Sequence, residues 1–202
     1  GLSKVRSARD ANRLAAIAMA LAAIGVIVNF ILTTGISINS WLWIILGVLI
    51  GSFFGFFTAK RVPMTAMPET VALFNGCGGM SSLLVALGVA FYPLSSSSQD
   101  STINFIETLS IVISIFVGSI TFSGSMIAMA KLQGWLSTPT WTQSRVRHTI
   151  NISFAVISLI AGIQVFQGES NILFLLVIGS FLLGIGVTLP IGGADMPVVI
   201  SL

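Results

Sequence analysis

The sequence predicts an all-α fold, a polytopic transmembrane helical bundle of about six spanning helices plus the start of a seventh. Three observations predict it. The 202 residues are 55% hydrophobic and only 7% charged; six apolar runs reach spanning length; and every basic residue falls on one side of the resulting topology. A soluble domain carries roughly 25% charge, so a chain with a mean hydropathy of +1.03 belongs in lipid. The net charge of +3 comes from nine Lys and Arg against six Asp and Glu. No basic patch is interleaved with aromatics, which excludes nucleic acid as a partner. One Cys and one His cannot form an internal disulfide and give too few soft ligands for a zinc site, so no metal is expected.

A helix needs about 20 apolar residues to cross a hydrocarbon core of about 30 Å. The qualifying runs are Leu14 to Thr33, Trp41 to Ala59, Glu69 to Tyr92, Ile103 to Ala130, His148 to Phe166 and Ile172 to Pro190. None shows the ten-residue alternation of a membrane barrel, and backbone in lipid must satisfy its own hydrogen bonds, so the runs are helices. The first run follows Lys4, Arg6, Arg9 and Arg13 but is too long for a signal peptide and is followed by further spans. Threaded alternately, the spans bring together the N-terminal arm, the Lys60/Arg61 loop and the loop from Lys131 through Arg145 and Arg147. The opposite loops, Gly35 to Ser40, Pro93 to Thr102 and Gln167 to Asn171, contain no Lys or Arg. The basic side is therefore expected to be cytoplasmic, or the matrix side in an organelle.

Both ends read as cut. Gly1 is not an initiator Met, and Asp195-Met196-Pro197 near the other end has the form of a helix start, an acidic cap with proline in the first turn.

Polar residues inside the spans carry the functional signal, because each must find a protein or water partner. On the fourth span Glu107, Ser110, Ser114, Gly118, Thr121 and Ser125 are spaced to fall within an arc of roughly 80°, a stripe about 27 Å long. It can be one wall of a hydrated proton or ion path with Glu107 at its outer mouth, or a seam of small residues for close helix packing. The third span has a matching stripe of Ala72, Asn75, Gly79, Ser82 and Ala86. Asn75 can hold water or act as an interhelical clamp, but it does not titrate at neutral pH. Glu69, after Pro68, falls in the first turn of its helix, where the dipole favours an anion. Asp195, within Gly192-Gly193-Ala194-Asp195-Met196-Pro197, sits in a hinge-like turn on the basic side.

Other features read as structure. Gly47, Gly51 and Gly55 form a packing face on the second span. His148 reads as an interfacial anchor, Cys77 as a small packing residue, and Trp41, Trp43, Trp135 and Trp141 as belt aromatics. No nucleophile–base pair, paired carboxylate motif or nucleotide fingerprint is present, so the residues alone read as a polytopic membrane chain with two polar stripes, suited to moving a small cation or proton.

Three strings go further. Met64-Thr65-Ala66-Met67-Pro68-Glu69 with Val71-Ala72-Leu73, Thr121-Phe122-Ser123-Gly124-Ser125, and Gly192-Gly193-Ala194-Asp195-Met196-Pro197-Val198-Val199 together resemble the membrane domain of the proton-translocating NAD(P) transhydrogenase beta subunit. The resemblance covers nearly the whole chain. It implies that residues 1–202 are a transmembrane proton-translocating domain in an enzyme that passes hydride between NADH and NADP in soluble domains. A preceding helix, following helices and the NADP(H)-binding domain would lie outside this sequence, so the resemblance implies that this chain alone does not catalyse hydride transfer and that NADP and NAD are bound elsewhere in the full complex. Implied partners are membrane lipid, the alpha subunit and that NADP(H)-binding domain, within a dimer of the full complex in a bacterial inner membrane. The resemblance places the family's channel histidine at Asn75, a departure. Some members are similar in having Asn there, with a histidine supplied from a partner-subunit helix. Ser125 matches the channel-lining serine, and Glu107 a membrane acid. Asp195 matches the acid near the junction with the nucleotide domain, toward which Glu69 also lies. The expected proton pathway is Asn75, Ser125, Thr121, Ser114 and Glu107. The alternative is a secondary transporter or ion channel subunit without redox chemistry, against which the lack of an internal repeat counts; a structural anchor is a third reading.

Overall fold

Each apolar run folds as an α-helix in the computed structural model, which describes residues 5–33, 38–91, 101–139, 146–166 and 172–192. The helices are α1 (Val5–Thr33), α2 (Ile38–Arg61), α3 (Met67–Phe91), α4 (Ser101–Leu132), α5 (Val146–Phe166) and α6 (Leu173–Thr188), with a 3₁₀ turn at Met64–Ala66 before α3. Among the described residues four segments are long and apolar enough to cross a membrane: Ile38–Arg61, Met64–Phe91, Phe105–Leu132 and Val146–Phe166. The apolar stretches Arg13–Asn29 and Leu173–Thr188 are shorter. The expected start of a seventh helix at Asp195 lies outside the described residues, as do the Ser95 to Ser98 run and Trp141.

Two compact units divide the chain, Gly1–Arg61 and Val62–Leu202. In the first, α2 has no buried residue. Its last turn carries Lys60 and Arg61, where cations complement the helix dipole. Their heads lie over the rings of Phe56 and Phe57, at 4.4 Å and 3.9 Å from the centroids. Such stacking lets basic side chains reach an interface along apolar surface. Within this unit, the face holding Gly47, Gly51 and Gly55 is open, with nothing within 4 Å of an added Cβ.

In the second unit α4 is central, packing against α3 on one side and α6 on the other, while α5 packs mainly on α6. Residue pairing fixes the directions. Gly76 meets Ser125 and Gly79 meets Phe122, so α3 and α4 are antiparallel. Gly184 meets Ile120 and Gly124 meets Thr188, so α4 and α6 are parallel. Gly179 meets Ser158 and Gly186 meets Asn151, so α5 runs against α6. The start of α3, the end of α4, the start of α5 and the end of α6 therefore share one end of this unit. That end holds Glu69, Lys131 and Arg147.

Small residues make these contacts. Lipid tails are as apolar as leucine, so helix association in a membrane depends on close packing and polar contacts more than on burial of apolar area. The buried face of α3 is Ala72, Gly76, Gly79, Leu83 and Ala86. An added Cβ on Gly79 would lie 2.8 Å from the Phe122 nitrogen and 2.9 Å from the Gly118 oxygen. On Gly118 it would lie 2.8 Å from the Gly79 oxygen. On Gly184 it would lie 2.7 Å from the Ile120 oxygen. These are backbone atoms, which a side-chain rotation cannot clear. Beyond the glycines, one apolar cluster joins Leu83, Ala86, Ile115, Ala161, Leu173 and Leu176. Ser119, Ser123, Ser158 and Ser180 are buried among the helices at 0–1% exposure.

Overpacking of this kind costs about 1–3 kcal/mol. Gly118→Ala and Gly184→Ala should therefore each lower the thermal unfolding midpoint of the detergent-solubilised protein, whereas Gly47→Ala should leave it unchanged. Equal midpoints for all three would contradict the backbone contacts.

Candidate functional site

The two polar stripes meet along the α3/α4 seam, which has three levels. At the end away from the basic loops, Glu107, Ser110 and Ser114 of α4 face Ser81, Ser82, Val85, Ala86 and Val89 of α3 across a cleft of about 510 Å³. Its polar lining is one carboxyl and four hydroxyls. Ser110 donates to the Ile106 carbonyl at 2.8 Å and Ser81 to the Gly78 carbonyl at 3.0 Å. Each oxygen keeps lone pairs that accept from water. At about 30 Å³ per molecule, the cleft has room for on the order of a dozen waters or more.

Midway the seam closes. Gly79 and Gly118 bring the backbones together, and the Thr121 Cβ lies 2.9 Å from where a Gly79 Cβ would stand. The two glycines put no side chain of their own between the helices, so this level is narrow. The close-packing reading of the α4 stripe therefore describes its middle, while the hydrated reading is compatible with its Glu107 end.

At the third level Asn75 Nδ2 donates to Ser125 Oγ at 2.9 Å. The pair sits six residues from Glu69 on α3 and six from Lys131 on α4, roughly 9 Å inside the basic end. Ser125 is 6% exposed, whereas Asn75 lies on the exposed flank of α3. The sequence stripe on α3 is thus offset from the buried face. Ala72, Gly79 and Ala86 are buried, but Asn75 and Ser82 stand at the edge, because the contact centres on the line through Gly76, Gly79 and Leu83. The carboxamide still reaches across to α4. In this pair Ser125 keeps its hydroxyl proton to donate and Asn75 its carbonyl oxygen to accept, so the two can pass hydrogen bonds to a third group or to water.

Glu69 lies in the first turn of α3, directly after the 3₁₀ turn in which Ala66 N–H donates to the Pro63 carbonyl at 3.0 Å. The neighbouring Thr70 hydroxyl donates to the Ala66 carbonyl at 2.9 Å. Asp195 lies outside the described residues. His148 is exposed at the start of α5, with its Nε2 3.0 Å from Arg147 Nη2. Cys77, expected to pack, is exposed instead, because it follows Gly76 around the helix away from α4. Among the described residues no three His, Cys, Asp or Glu come together as a metal site.

Sequence reasoning missed the role of Lys131. It counted only as a topology signal, yet it is 7% exposed and its ammonium donates into the end of α6. A cation in the last turn of α4, followed by glycine, was the available cue.

Comparison with known proteins now bears on this geometry. Residues 1–202 match the family described as NAD(P) transhydrogenase beta subunit. The chain belongs to that family. Two curated relatives, both named NAD(P) transhydrogenase subunit beta, come from Rhodospirillum rubrum and from a designated strain of that species. Each is 37% identical over 206 residues, covering 100% of this chain and 42% of the relative. The chain therefore spans about two fifths of the length of these relatives. Two of the three strings that carry the resemblance fall at described contacts, and the third, Gly192 to Val199, lies outside the described residues after Gly192. Met64 to Glu69 forms the entry to α3, and Thr121 to Ser125 runs from the glycine closure to the Asn75 partner. The transhydrogenase family name implies nicotinamide dinucleotides. Among the described residues there is no strand and no glycine-rich strand-to-helix turn of the kind that holds a pyrophosphate.

Single cysteines in a Cys77→Ser background test the levels. A thiol reacts as its thiolate where water reaches it. Ser114→Cys should accordingly react with a water-soluble maleimide at least about tenfold faster than Ser119→Cys, which is sealed inside the bundle. Equal rates would show that the cleft is not wet.

Proposed function

We propose that this chain is the proton-conducting membrane part of a proton-translocating NAD(P) transhydrogenase, coupling proton movement to hydride transfer between NADH and NADP. The observation that carries this reading is the three-level seam. A mostly apolar cleft that carries one carboxyl and four hydroxyls, and a hydrogen-bonded Asn75–Ser125 pair, lie along one helix seam, separated by the Gly79/Gly118 closure. Six membrane spans, with a seventh starting near Asp195, fit the placement of all nine basic residues on one side.

In this mechanism Glu107 attracts protons to the outer cleft, and water held by Ser114 and its neighbouring hydroxyls carries them inward. Thr121 borders the narrow level. Passage there requires α3 and α4 to part by about one water diameter, since both faces are backbone. Beyond it, Asn75 and Ser125 order water without titrating, so the protonatable centre is supplied by another helix of the complex, in keeping with the resemblance to members that carry Asn at this position. Glu69 and Asp195 then connect the path to the NADP(H)-binding domain. Hydride transfer between the nucleotides takes place in the soluble domains, and this chain's residues hold and move protons only. The alpha subunit and the NADP(H)-binding domain are its partners, in a dimer of the full complex. The basic loops face the cytoplasm. A bacterial inner membrane is the location supported by the relatives' source.

Loss of one hydrogen bond to an ordered pair is worth about 1 kcal/mol or somewhat more. In the intact complex Ser125→Ala should therefore slow proton-coupled turnover roughly tenfold while membrane assembly and NADP(H) binding stay unchanged. Turnover and proton uptake in vesicles check this. Unaltered coupling in an assembled complex would rule out Ser125 as part of the path.

A further inference from the structure

Lys131 is the one charged side chain among the buried described residues, and its surroundings account for all three ammonium protons. Nζ donates to the carbonyls of Leu189 and Ile191, the latter at 2.8 Å, and to the Thr138 hydroxyl at 3.1 Å. Leu189 caps α6, so two of the acceptors are carbonyls at and just beyond its C-terminus, where the helix dipole favours a cation. The third is delivered by the turn after α4. There Gly134, at φ +74°, donates to the Lys131 carbonyl at 3.0 Å and Trp135 to the Ala130 carbonyl at 2.9 Å. This double bond pattern ends a helix with a left-handed residue and folds the chain back, bringing Thr138 to the ammonium.

We propose that Lys131 is a positioning residue that locks the axial register of α4 to the end of α6, and so ties the Asn75–Ser125 pair to the chain leaving α6 toward Gly192. The inference rests on the proton-path reading. Three contacts on one side of α4 act together: Ser123 against Gly184, Gly124 against Thr188, and Lys131 on Leu189 and Ile191. On the other side of α4, Ser125 meets Asn75 at 2.9 Å. A hydrogen bond of that length fails within about 1 Å of sliding. Movement of α4 that breaks the pair therefore pulls on the α6 terminus, and movement of the α6 terminus resets the pair. The glycine contacts set the close approach of α4 and α6, and the charge held by three directed hydrogen bonds fixes their register along the axis.

The test uses the intact complex in vesicles, comparing hydride transfer driven by an imposed proton gradient with the rate after an ionophore collapses it. Lys131→Met should lower the ratio of driven to undriven rate about tenfold and leave the undriven rate within about twofold. Thr138→Val, which removes one acceptor and spares the charge, should lower the same ratio about two- to threefold. The double variant Lys131→Met/Ser125→Ala should be no worse than Ser125→Ala alone, since residues acting through one element are not additive. If Lys131→Met does not assemble, the Thr138→Val ratio and its combination with Ser125→Ala decide. An unchanged ratio, fully additive effects, or a loss of rate that tracks loss of assembled protein would overturn the proposal. If Ser125→Ala itself leaves coupling intact, the path reading fails. If Ser125→Ala impairs coupling and the Lys131 and Thr138 variants do not, only the positioning role fails.

Discussion

Because Gly79 and Gly118 place no side chain between α3 and α4, the two backbones touch, and that contact sets the width of everything along the seam. Above it the helices diverge enough to leave the Glu107 cleft. Below it they stay near enough for Asn75 to reach Ser125. A methyl group at either glycine would push the helices apart and lengthen that hydrogen bond. In the proposed mechanism this contact interrupts the path, so passage across it is linked to helix movement.

The fold was largely legible because membrane solvent imposes a simple rule, that apolar runs of about 20 residues become helices. The one-sided placement of basic residues then gave directions, and the antiparallel pairing of α3 with α4 and of α5 with α6 agrees with them. The candidate site was legible only by residue type. Both stripes were visible, but a helical wheel cannot give register between two helices. It thus could not place Asn75 opposite Ser125 or Gly79 opposite Gly118. Nor could it choose between wet and dry readings, because serine, threonine and glycine serve both. Asn75 and Ser82 proved to flank the buried face rather than lie in it. Lys131 was hidden by its own strongest signal. A basic residue after a span is ordinarily an orientation marker, and only tertiary structure shows three acceptors around it.

Family membership and geometry contribute different things. The match over residues 1–202 establishes the family, and the chain covers 42% of each relative. The geometry adds an all-helical arrangement among the described residues. Its basic end gathers the start of α3, the end of α4 and the end of α6. Events at the Asn75–Ser125 level lie within roughly 9 Å of the residues at which force could leave the membrane.

The central claim is that the α3/α4 seam is wet on both sides of a dry glycine closure. An electron cryomicroscopy map of the intact complex, at a resolution that shows ordered water, tests it most directly. The account predicts water density between Glu107 and Ser114, further water at Asn75 and Ser125, and none between Gly79 and Gly118. Lipid tails or packed apolar side chains filling the Glu107 cleft and covering Asn75 would contradict it.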